Sequence, residues 1–127
     1  MTIRAICLAG AAAALSAIPA LAHHSFAMFD QSMTVEVHGT VKELLWTNPH
    51  SWLQIMAADE NGEMVEWSIE MSAPGALMRD GWTRESVAPG DTVTVMAHPI
   101  RNGTSGGQFV SIILANGQQL SHIYRDP

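Results

Sequence analysis

Six histidines stand in a chain of 127 residues that carries a single cysteine, Cys7. Imidazole binds Cu(II), Zn and Ni, and copper heads the divalent affinity order. His23 and His24 are adjacent, and both follow Ala20–Leu21–Ala22. If the chain is cut after Ala22, His23 becomes the first residue. Its free α-amine and its own ring nitrogen Nδ1 then chelate one metal ion. The amine titrates near ~7.7–8.0 and imidazole near ~6.5, so both are neutral and able to ligate in mildly alkaline solution. His24 adds a third nitrogen. His50 lies in Trp46–Thr47–Asn48–Pro49–His50–Ser51–Trp52, where Asn48–Pro49 is a turn signal and Pro49 holds the following ring in a fixed place. His23, His24 and His50 are therefore the predicted metal ligands, with copper as the expected ion. The competing reading of His23 and His24 is a soluble tail. That of His50 is a structural ring that bonds a turn carbonyl or packs between Trp46 and Trp52.

The other chemistry-bearing residues point to less. His38 on a polar strand face and His98 before Pro99 read as solvated, and His122 has no local context. Thioether is a Cu(I) ligand, but the methionines form no M-x-M or M-x-x-M cluster, so they read as flexible core fillers. Glu66 and Glu70 fall on one strand face about 13 Å apart at ~3.3 Å per residue, too far to act on a single bond. No Ser-His-Asp pattern with a nucleophile elbow, phosphate-binding glycine loop or zinc-protease helix motif is present. Trp46, Trp52 and Trp82 together suggest an aromatic docking face.

The segment before these histidines has the form of a secretory signal. Met1–Arg4 is a short positive start, Ala5–Leu21 is almost wholly apolar, and Ala20–Leu21–Ala22 has the small-x-small form of a cleavage site. Residues 1–22 are the predicted signal peptide and residues 23–127 a single domain of 127 less 22, or 105, residues. The predicted location is periplasmic or secreted, with no membrane span after cleavage. Cys7 and Arg4 leave with the signal. The domain then has no disulfide, its basic residues fall from 6 to 5 against 12 acidic ones, and its balance moves from −6 to −7. Such a surface releases no counterions from phosphate backbones, which argues against nucleic-acid binding.

The elements that must position the histidines are strands. Met33–Trp46 alternates through Val35, Val37 and Val41, then slips phase at Leu44 and Trp46, and Gly39 nearby suggests a bulge or bend. Ser51–Ala58, Met64–Met71, Thr92–His98 and Phe109–Leu114 continue the pattern, with Gln118–Ile123 as a short edge strand. Val37, Val41, Leu53, Ile55, Val65, Trp67, Ile69, Val93, Val95 and Ile112 are the predicted core. Asn-Gly pairs at 61–62, 102–103 and 116–117 suggest two-residue hairpin turns. Pro74 opens a short helix after Ser72 or Ala73, and Gly81 ends it. Three strands, a helix, then two strands is the order of an OB-like five-stranded Greek-key barrel, so the fold class is all-β. A small β-sandwich is the alternative. Residues 23–32 form an arm before the barrel, which Phe26 and Phe29 can dock.

The motifs His23–His24–Ser25–Phe26–Ala27–Met28–Phe29–Asp30, Gly39–Thr40–Val41, Trp46–Thr47–Asn48–Pro49–His50–Ser51 and Gly81–Trp82 occur in this order, followed by Pro89–Gly90–Asp91 and Asn116–Gly117. Together they resemble DUF6152, a family of small exported bacterial proteins. The resemblance spans residues 23–127. Its specific parts match His23, His24, Ser25, Phe26, Asp30, Asn48, Pro49 and His50. It implies an exported single domain with two histidine-bearing motifs and assigns no activity. The expected function is thus a binding or accessory domain with a histidine-held transition metal. The rivals are a module that binds a protein, an oligosaccharide or another small ligand without metal, and a copper-dependent oxidative enzyme.

Overall fold

The structure is a computed structural model and describes residues 26–124. The predicted signal peptide, its cleavage site, His23 and His24 lie outside the described residues. The alternating apolar runs form strands β1 (Val35–Leu45), β2 (Trp52–Ala58), β3 (Met64–Glu70), β4 (Thr92–Pro99), β5 (Gly106–Leu114) and β6 (Gln119–Ser121). A short helix, α1 (Pro74–Arg79), stands between β3 and β4, and a single 3-10 turn covers Phe26–Met28.

β1, β2 and β3 form an antiparallel meander, β4 returns antiparallel to β1, and β5 pairs antiparallel with β4. A parallel pairing of Ser68–Glu70 with Gly106–Gln108 joins β3 to β5 and closes five strands into a barrel. That connectivity is the OB-like arrangement, with β6 added to the edge of β5. Among the described residues no helix is long and apolar enough to cross a membrane.

The long first strand serves both halves of the barrel, pairing with β4 through Val35–Thr40 and with β2 through Thr40–Leu45. Its phase slip is a bulge between Val41 and Glu43, where Lys42 is the extra residue. The bulge returns Leu44 and Trp46 to the core side, where both pack partly buried. Gly39 is not the bulge. It lies beneath β2, where a Cβ would collide with the Met56 carbonyl oxygen and the Ile55 side chain.

The core holds eight of the ten expected residues fully buried. Val65 and Trp67 are half-buried, because this end of β3 has only β2 beside it. The largest buried side chain is instead Trp82, packed edge-on against Phe109 at 5.2 Å. Leu77 of α1 is also fully buried. The Asn-Gly pairs sit in longer loops than two residues, bounded by Ala58↔Met64, Pro99↔Gly107 and Ile113↔Gln119. Within these three pairs positive φ falls only on the glycines, at 80–82°, so the mirror-image turn that needs both residues left-handed does not form.

Candidate functional site

His50 ends the turn from β1 to β2, and one side-chain and two main-chain bonds secure it and its neighbours. The Thr47 hydroxyl donates to the His50 carbonyl at 2.9 Å. The Ser51 N–H donates to Ser72 O, and the Met71 N–H to Ser51 O. These bonds continue the β2–β3 ladder past its last pair, Trp52↔Glu70. They hold His50 against the segment that follows β3. The His50 ring then places Nδ1 3.3 Å from Met71 O and 3.5 Å from Glu70 Oε1. A carbonyl oxygen only accepts, so Nδ1 carries the proton and the neutral ring has its lone pair on Nε2. Carbonyl and carboxylate partners on the far nitrogen are the usual orienting shell of a metal-binding imidazole. The structural reading of His50 expects a turn carbonyl, whereas the ring bonds the carbonyl of Met71, which follows β3.

Glu70 is buried, although its strand phase put it on the polar face with Glu66. Its face is covered at this end because β5 lies alongside, with Gln108 as its register partner. Glu66 remains at the surface and pairs with Lys42 at 2.8 Å. The N-terminal arm docks beside this point. Phe29 is buried and bridges to Ile100, the Asp30 N–H donates to Pro99 O, and the Gln31 amide donates to Gln108 Oε1 at 3.1 Å. Asp30 accepts from the Ser32 hydroxyl and N–H, which hold its carboxyl below the usual range, with Arg101 adding to the effect. Gln31, Gln108, Glu70 and His50 thus follow one another from the arm to the first turn. His23 lies three residues before Phe26 in the sequence, a reach of at most about 11 Å at ~3.3–3.6 Å per residue. Among the described residues no group of three or more His, Cys, Asp or Glu side chains is arranged to hold a metal ion.

The remaining candidates separate. His38 bonds Thr94 Oγ1 and His98 bonds Met33 O, each through Nδ1. Among the methionines of the described residues Met71 alone is fully buried, while Met28, Met33, Met64 and Met78 are exposed, so the core-filler expectation fails for most of them. The expected aromatic face loses Trp82 to the core. Trp67 instead borders an open cleft of about 550 Å³ with Val35, His38 and Ala57.

One constellation has no local signature in the sequence. Ser72 Oγ lies 2.6 Å from His122 Nε2, and His122 Nδ1 lies 2.7 Å from Asp80 Oδ2. Asp80 also accepts the Ile123 N–H, and the Tyr124 ring meets the His122 ring edge-on at 4.7 Å. His122 is buried, with its side chain 3% exposed. His122, after β6, stands 42 positions from Asp80 at the end of α1 and 50 from Ser72 after β3. Only barrel closure and the return of the chain along β5 bring them together, so no spacing rule finds them.

The family model described as a family of unknown function, DUF6152, matches residues 11–109. No curated protein and no solved structure matches the chain.

Proposed function

The chain belongs to DUF6152, a family of unknown function, and we propose that it is an exported binding or accessory domain that holds a copper ion through His23, His24 and His50. The observation that carries this reading is the fixing of His50. Its Nδ1–H is directed at the Met71 carbonyl with the buried Glu70 carboxylate beside it, which assigns the lone pair to Nε2. A second support is the docked arm, whose Gln31 contacts the register partner of Glu70. In this reading the arm is ordered before metal arrives, so less conformational entropy is lost on binding. His23 supplies amine and ring nitrogens and His24 a second ring, after export and removal of residues 1–22. An all-nitrogen set of this kind suits Cu(II).

Calorimetric copper titration tests the proposal on three proteins: the chain beginning at His23, the same chain with its N-terminal amine acetylated, and the His50→Ala variant. Affinity should fall at least tenfold in both altered proteins, about 1.4 kcal/mol. Equal affinity in all three would overturn the site. A loss confined to the acetylated chain would remove His50 from it.

A further inference from the structure

The geometry of Ser72, His122 and Asp80 points to a nucleophilic serine, and we propose that Ser72 attacks small activated carboxylic esters and that the chain hydrolyses them. Ionised Asp80 is acceptor-only, so His122 Nδ1 carries the proton that lies between them. Nε2 then has the lone pair, and the 2.6 Å contact is the Ser72 O–H donating to it. Each bond is therefore directed as a nucleophile–base–orienter chain requires. The Ile123 N–H holds the same Asp80 oxygen at 3.2 Å, and Tyr124 meets the imidazole edge-on, so the base is fixed from two sides. Asp80 is 12% exposed and His122 3%, which takes the hydrogen bond between them out of water and strengthens it. Ser72 itself stays partly exposed, and the main-chain N–H of Ala73 directly follows the nucleophile. That N–H donates to no main-chain oxygen among the described residues. The amide after the nucleophile is where serine hydrolases draw one oxyanion donor.

The step balances without another reactant than water. Ser72 Oγ forms a bond to the ester carbonyl carbon as its proton passes to His122 Nε2. The carbon–oxygen bond to the leaving alcohol breaks, and the alcohol departs with that proton. Water then gives a proton to Nε2, its oxygen attacks the acyl carbon, and Ser72 regains its hydrogen as the acid leaves. This centre lies partly beyond the part of the chain that matches the family, because His122 follows residue 109. The rival explanation is that the same bonds only fasten the C-terminal segment to α1.

The two differ in reactivity. The full chain is treated with a fluorophosphonate, with chelator present so that bound metal has no part in the result, and labelling is read by intact mass and peptide mapping. p-Nitrophenyl acetate supplies the turnover assay. We expect one label per chain on Ser72 and a burst of one nitrophenolate. Urea-unfolded protein and Ser72→Ala should take no label. In Asp80→Asn the labelling rate should fall at least 100-fold while thermal unfolding stays cooperative. A folded wild type that takes no label, a label on another residue, or an Asp80→Asn rate within threefold of wild type would each overturn the proposal.

Discussion

Tyr124 places its hydroxyl 3.4 Å from the Glu70 carbonyl, and burial pushes its ionisation well above the ordinary phenol value of 10.0, with Glu70 adding to the shift. Above about pH 10 the unfolded chain has lost this proton and the folded chain still holds it, so the folded state binds more protons and stability falls as pH rises. Tyr124→Phe should flatten that loss in urea melts between pH 9 and pH 11, on the order of a single phenol's titration range. An unchanged slope would mean that another group sets it. Ser51 makes the opposite kind of test. Its hydroxyl is buried without a partner among the described residues, at a cost of about 1–3 kcal/mol for such a group. Ser51→Ala should therefore leave the melting temperature unchanged or raise it. At this scale the sequence was legible only where neighbours carry the information. His50 stands out because Pro49 precedes it, whereas His122, Asp80 and Ser72 acquire meaning from partners 42 and 50 residues distant. Glu70 lies on the face that alternation gives it, together with Glu66, but alternation along a strand does not say that this end will be covered.

The elements were easier to read, since periodicity and turn chemistry are local. The phase slip in β1 announced an irregularity, and a bulge lies there, but at Lys42 instead of Gly39. The reason is that Gly39 answers to a different demand, the passage of β2 over β1. Gly39→Ala should disturb the β1–β2 pairing and destabilise the fold more than Gly81→Ala. At Gly81, with φ of 91° after α1 and open space around it, only the left-handed backbone opposes a side chain, about 1–2 kcal/mol. Chemical denaturation of the two variants checks the order, and a larger loss at Gly81 would contradict it. The Asn-Gly signals marked all three loops correctly and their lengths wrongly. In two of them the Asn side chain caps a residue further on, with Asn102 accepting from Thr104 and Asn116 from Gln118. In the first, Asp59 does this work for Asn61 and Glu63. Such side-chain bonds favour a longer turn over the two-residue form.

For the whole molecule, barrel closure depends on a three-residue parallel pairing between β3 and β5, which no hairpin signal encodes. The strand order made it legible nonetheless, because an OB-like path has to close there. Trp82 seals the interior from the α1 side, and Trp82→Ala should cost ~3–5 kcal/mol as a cavity opens in a core already filled by Phe109 and Leu77. Trp67→Ala should cost less, because Trp67 is half-buried beside the open cleft. Denaturant midpoints of the two proteins decide the order. The central claim is that the barrel presents His50 to a copper ion held by the N-terminal histidines. Electron paramagnetic resonance of the Cu(II)-loaded chain beginning at His23, compared with His50→Ala, tests it most directly. The account predicts nitrogen hyperfine structure from the amine and the imidazoles in the first protein, with one imidazole nitrogen missing from the variant. Identical spectra from the two proteins would contradict it.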